Sequence, residues 1–118
     1  MIAFTVPFRY KAKSNSYRAG KGRFYVDPVV KTQQEETRRI ATVAMGGNVP
    51  SLNAISISIK ITVTNKRRFD IDGCLKSLLD ALNGIVWKDD SQITELKVSK
   101  RLSKEAAHDT TDIEIKEL

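Results

Sequence analysis

Asp70 and Asp72 stand one residue apart at the head of the segment DIDGCLKSLLDAL, and Asp89 with Asp90 follow shortly after it ends. One aspartate at a helix start is explained by capping, because its carboxylate accepts hydrogen bonds from the unpaired N–H groups of the first turn. The second is not, and neither is the later pair. If the chain returns Asp89 or Asp90 to the helix start, three carboxylates converge, and their repulsion calls for a cation. All-oxygen ligands suit magnesium, with manganese as a substitute. Zinc is disfavoured, since His108 and Cys74 are the only residues of their types. A magnesium ion held this way would bind a phosphate oxygen and lower the pKa of a bound water, the two requirements of phosphodiester hydrolysis.

Such chemistry needs a grip on a polyanion, and the charge of +6 is distributed accordingly. Arg9, Lys11, Lys13, Arg18, Lys21 and Arg23 all precede the first acidic residue, Asp27, with Tyr10, Tyr17, Phe24 and Tyr25 interleaved. Lys66, Arg67 and Arg68 form a second basic run just ahead of Asp70. Interleaved cations and aromatics favour phosphate contacts with base stacking; a solvated loop that keeps the protein soluble is the plainer alternative. Phe24 and Tyr25 either stack at the opened centre of a nucleic acid or begin a strand. Asp72, Lys76 and Asp80 recur four apart, and i,i+4 salt bridges worth about 0.2–0.5 kcal/mol each account for that stripe. They leave Asp70, Asp89 and Asp90 unexplained.

These groups must be positioned by a chain of 118 residues, the length of one domain, with 41% hydrophobic and 29% charged residues. That composition supports an ordinary core. The lone cysteine excludes an intramolecular disulfide, and the N-terminal stretch lacks the pattern of an export signal, so a cytoplasmic location is expected. No apolar run is long enough to span a bilayer, and no organic cofactor is expected. The stretch IAFTV predicts a first strand. Asp27 followed by Pro28, and Gly46-Gly47-Asn48 further on, bracket a first helix, with Val29, Val30, Ile40, Val43 and Ala44 inward and Glu35, Glu36, Arg38 and Arg39 pairing outside. From Ala54 to Thr64 strict alternation puts Ile55, Ile57, Ile59, Ile61 and Val63 on one strand face. Leu75, Leu78, Leu79 and Leu82 mark the inner face of a second helix that stops at Asn83-Gly84. Strands over Ile93–Leu102 and Ile113–Ile115 complete a mixed sheet with two helices against it, an α/β or α+β single domain over residues 1–118.

The segment RRFDIDGCLKSLLDALNGIVWKDDSQI, residues 67–93, resembles the signature of the RusA family of Holliday junction resolvases. Its pattern is a basic run, Asp-x-Asp-Asn opening a helix, a lysine one turn on, an Asp-Ala-Leu run, and a Trp or Tyr-x-Asp-Asp-x-Gln segment. Upstream, SNSYR and KGRFYVDP are similar to the family's Ser-Asn and Gly-Arg segments. The resemblance implies magnesium-binding catalytic aspartates at Asp70, Asp72 and Asp90 and an essential lysine at Lys76. It also implies a homodimer, which would set one site at each of two opposed strands of a four-way junction, and a phage or prophage origin. Asp89 is read as supporting the ligands or capping the loop, Asp80 as a surface or interface residue, and Trp87 as core. Gly73 stands where the family most often has asparagine. Two alternatives follow: a dimeric branched-DNA-binding protein that has lost turnover, or a less selective nuclease of flaps and other branched substrates.

Overall fold

The computed structural model describes residues 2–11, 17–20, 23–65 and 71–118. It is an α+β domain: β1 (Ile2–Val6), β2 (Tyr17–Gly20), β3 (Arg23–Val26), α1 (Pro28–Met45), β4 (Ile55–Val63), α2 (Ile71–Leu82), a single 3-10 turn (Asp90–Gln92), β5 (Ile93–Leu102) and β6 (Thr110–Glu117). The main sheet runs β1-β6-β4-β5, and β2 with β3 forms a separate antiparallel hairpin. Within the main sheet β4 and β5 are parallel, while β6 is antiparallel to both β1 and β4.

The alternation in β4 works as predicted. Ile55, Ile57, Ile59, Ile61 and Val63 are buried on the face the helices cover, joined by Ile113 and Ile115 of β6, which pair with Ile59 and Ile57. Ser58 and Lys60 alternate with them and stay exposed, as expected of a sheet covered on one face only. β6 extends beyond the predicted Ile113–Ile115 on both sides, because its polar residues still pair with β1 and β4.

In α1 the caps lie where the sequence puts them. The Asp27 carboxylate accepts from Val29 N, Pro28 opens the helix, and Gly46 closes it at φ 58°, a left-handed conformation that glycine adopts without steric cost. Of the expected inward residues Val30 is buried and Ile40 and Ala44 are half-buried, whereas Val29 and Val43 are exposed; the buried face is Val30, Gln34, Thr37, Ala41 and Met45. An apolar pattern misses this face because two of its members are polar residues with internal partners. Gln34 Nε2 donates to the Ser77 carbonyl of α2 at 3.1 Å, and Thr37 meets the Tyr10 hydroxyl at 2.6 Å. The buried positions of α2 are Gly73, Cys74, Ser77, Leu78, Ala81 and Leu82, with Leu75 and Leu79 partly buried. The leucine stripe is thus inward as predicted, and small Ser77 and Ala81 widen the buried face beyond it. Outside, Arg39 pairs with Glu36 as predicted.

The connection β4–α2–β5 decides the layout of the charged groups. Because β5 is parallel to β4, the helix between them must run back along the sheet. Ile71, Cys74 and Leu75 accordingly line a small cavity with Ile59, Ile61 and Val98, so α2 begins beside the far end of β4. Past its other end, Ser51 N donates to the Val86 carbonyl (2.8 Å) and Lys88 N to the Ser51 carbonyl (3.2 Å), just ahead of β4. Among the described residues no helix is long and apolar enough to cross a membrane.

Candidate active site

At the mouth of α2, Asp72 lies in the first turn, where the helix dipole favours a carboxylate. Asp72 and Lys76, one turn further, are exposed, and Asp80 is half-buried. Gly73, between the outward Asp72 and the inward Cys74, is buried. Asp70 and the basic run Lys66, Arg67 and Arg68 lie outside the described residues.

The second aspartate pair divides by role. Asp89 caps the 3-10 turn: its carboxylate accepts from Ser91 N at 3.0 Å and from the Ser91 hydroxyl, while Gln92 Oε1 accepts from Asp89 N at 2.8 Å. Gln92 Nε2 then donates to the carbonyls of Ser51 (2.8 Å) and Asn53 (2.9 Å), which fastens the turn to the start of β4. The Ser91 hydroxyl and then its N–H favour the charged form of Asp89 and hold its carboxyl below the usual aspartate range. Capping, one of the two roles expected of Asp89, is thus what the geometry assigns. Asp90 is oriented differently. The indole Nε1 of Trp87 donates to Asp90 Oδ1 at 2.7 Å, and Trp87 is fully buried. A core side chain therefore aims a half-exposed carboxylate. The sequence identifies Trp87 as core, but not its N–H as a steering group; the W-x-x-D spacing is the signal that carried it.

The return loop does not bring Asp89 or Asp90 back to the helix start within one chain. It delivers them beyond the opposite end of α2, next to Ser51 and Asn53. Asp72 and Leu82 are roughly 15 Å apart along an axis that rises about 1.5 Å per residue, far beyond the reach of one ion's ligand shell. The physical reason is the parallel crossover, which fixes the direction of α2 relative to the strand that follows it. Among the described residues, no group of three or more His, Cys, Asp or Glu side chains gathers in metal-binding geometry.

Within the basic segment, Tyr17–Gly20 and Arg23–Val26 are strands. Residues 17–20 pair with 23–26 in the β2–β3 hairpin, with Arg18 in register with Tyr25, Ala19 with Phe24, and Gly20 with Arg23, so Phe24 and Tyr25 lie on a strand. Lys13 and Lys21 lie outside the described residues. Arg9 and Lys11, expected to contact phosphates, are engaged within the protein. Arg9 Nε pairs with Asp109 at 3.4 Å, and Lys11 Nζ pairs with the buried Asp27 at 2.5 Å. Asp27 immediately follows the hairpin, so the second pair ties its two ends together. Gln33 of α1 holds the same strap through Arg9 O (3.0 Å) and Lys11 N (2.8 Å). Between them Tyr10, 3% exposed, reaches both helices, its hydroxyl meeting Thr37 of α1 and its carbonyl accepting from Cys74 Sγ of α2. No local pattern singled out Gln33, Asp109 or Thr37, since each acts on residues distant in sequence.

A family model described as endodeoxyribonuclease RusA matches residues 7–116. The match takes in both helices, the hairpin and the sheet strands other than β1. The chain belongs to the RusA family. Over 36 residues, 30% of the chain, it is 53% identical to the uncharacterized protein YqaN of Bacillus subtilis (strain 168). That segment covers 25% of YqaN, so the similarity extends to a quarter of that protein's length.

Proposed function

We propose that this protein is a magnesium-dependent endodeoxyribonuclease that resolves four-way DNA junctions by paired nicks, acting as a homodimer. The observation that carries the reading is how the family motif divides on folding. Leu78, Leu82 and Trp87 are buried and Gln92 is tied down by hydrogen bonds, while Asp72, Lys76 and Asp90 keep their charged groups at the surface. The first set builds the core and the turn, and the second presents charge to solvent, where a cation and a phosphate can reach it.

The donor set of Asp70, Asp72 and Asp90 is purely carboxylate oxygen, which fits a hard divalent cation. When bound, that ion would supply an acidified water and neutralise charge on the scissile phosphate. Because Asp72 and Asp90 of one chain lie at opposite ends of α2, the reading requires a second subunit to complete each site, consistent with a two-fold dimer on a substrate of two-fold symmetry. Trp87 holds Asp90 through one oxygen and restricts its rotation, so less entropy is lost when the other oxygen is engaged. Lys76, one turn from Asp72, is placed to stabilise the charge that accumulates on the phosphate during attack. Arg18 and Arg23 of the hairpin, with Lys13, Lys21 and the run Lys66–Arg68, are assigned to the DNA backbone, and Phe24 to base stacking at the junction centre.

The test is cleavage of an end-labelled four-way junction with and without magnesium, alongside Asp70→Asn and matched duplex and flap substrates, with sedimentation equilibrium for the dimer. Paired nicks on the junction that need both metal and Asp70 are expected. Tight binding without cleavage under magnesium or manganese would instead mark a DNA-binding protein, with Gly73 as the departure responsible; equal cutting of flaps would mark a less selective nuclease.

A further inference from the structure

We infer that Asp109 is a positioning residue that locks the strap bearing the hairpin and the approach to the Asp70–Asp72 pair against each other. The inference rests on the nuclease reading above and extends it to a residue outside the motif. Asp109 sits just before β6. Its Oδ1 accepts from both the N–H (2.8 Å) and the hydroxyl (2.9 Å) of Thr64, the first residue after β4. From Thr64 the chain continues through the basic run to Asp70 and α2. The other oxygen, Oδ2, pairs with Arg9 Nε at 3.4 Å, in the strap between β1 and the hairpin.

One carboxylate therefore bridges the two segments that have to act together, the one leading to the proposed metal ligands and the one leading to the proposed DNA-holding arm. Both partners are sheltered, with side-chain exposures of 20% for Arg9 and 23% for Asp109, so the pair is less screened than a fully exposed one. Hydrogen bonds to an ionised acceptor are also stronger than neutral ones. The neighbouring anchors make the bridge directional. Ser103 N donates to the Val63 carbonyl at 2.9 Å and holds the end of β4 from another side, while Gln33 fixes the Arg9 carbonyl from α1. The Asp109 carboxylate adds a direct link between the strap and the strand end. A core contact would not need both its oxygens directed at two functional segments.

The experiment compares Asp109→Ala, which removes both contacts, with Asp109→Asn, which retains an acceptor for Thr64 but not the charge opposite Arg9. Hydrogen exchange by mass spectrometry is the readout independent of activity. Asp109→Ala should raise exchange at least threefold in peptides covering both residues 64–70 and residues 8–11, with β6 and the distal half of α2 unchanged. In single-turnover cleavage well below the melting temperature, Asp109→Ala should slow the reaction about tenfold or more, since small misplacements of reacting groups are costly. It should also raise the magnesium concentration for half-maximal rate. Asp109→Asn should retain most of the rate but lose junction affinity, measured by anisotropy with calcium in place of magnesium. An Asp109→Ala protein that only melts earlier, with exchange in both segments and the magnesium midpoint as in wild type, overturns the inference. Wild-type protein that neither binds nor cuts junctions defeats the nuclease reading instead, and the exchange result still decides whether Asp109 couples the two segments.

Discussion

The hydroxyl pair between Tyr10 and Thr37 allows a sharp prediction, because its proton count is determined. Thr37 has one hydroxyl proton, and its Oγ1 donates to the Gln33 carbonyl at 2.8 Å. Tyr10 must therefore be the donor in the 2.6 Å contact between the two. Burial pushes the Tyr10 phenol pKa far up, so that proton stays in place at every working pH. Thr37→Val keeps the shape but strands a buried donor, which costs about 1–3 kcal/mol. Tyr10→Phe removes donor and need together, leaves Thr37 bonded to Gln33, and should cost about 0.5–1.5 kcal/mol. Valine introduced where phenylalanine already occupies position 10 strands nothing, so the double variant should cost little more than Tyr10→Phe alone. For a domain of this size each kcal/mol shifts the melting temperature by about 3–6 °C, which places Thr37→Val roughly 3–18 °C below wild type. Urea unfolding of the four proteins measures the cycle. Equal or reversed single costs, or a double variant equal to the sum of the singles, would refute the reasoning. The pair matters for function because Tyr10 anchors the strap from which the hairpin departs.

Three further outcomes are expected. Trp87→Phe removes the N–H that orients Asp90 while keeping most of the buried ring; junction cleavage should fall about 10–100-fold and need more magnesium, and a magnesium titration of the rate checks it. Lys76→Ala should lower single-turnover cleavage by about 100-fold or more, the scale of losing one transition-state charge contact, with junction affinity within a few-fold by anisotropy. The 3-10 turn should loosen in acid: since Asp89 has a lowered folded pKa, its contribution is complete above the ordinary aspartate value of about 3.9 and is lost as pH falls through the lower folded value. The fluorescence of Trp87, the single tryptophan, reports this transition, and Asp89→Asn should abolish the acid limb that belongs to the turn.

What the sequence by itself determined was local and periodic. The alternation over Ile55–Val63, the Asp27-Pro28 start and Gly46 stop of α1, the Asn83-Gly84 end of α2 and the span of β5 all follow from interactions within a few residues, and each is present in the fold. The motif likewise singled out Asp72, Lys76 and Asp90, of which Asp72 and Lys76 are exposed and Asp90 is half-buried. Tertiary structure alone decided three things. It chose the Gln34–Thr37 face of α1, since polar side chains become core only when partners such as Ser77 and Tyr10 arrive from elsewhere in the chain. It paired Arg9 and Lys11, two of the candidate phosphate contacts, with Asp109 and Asp27, which reach them only once the sheet and α1 are assembled. It set Asp72 and Asp90 at opposite ends of α2, because spacing along a chain carries no sign of strand direction, and the parallel pairing of β4 with β5 is what gives α2 its sense.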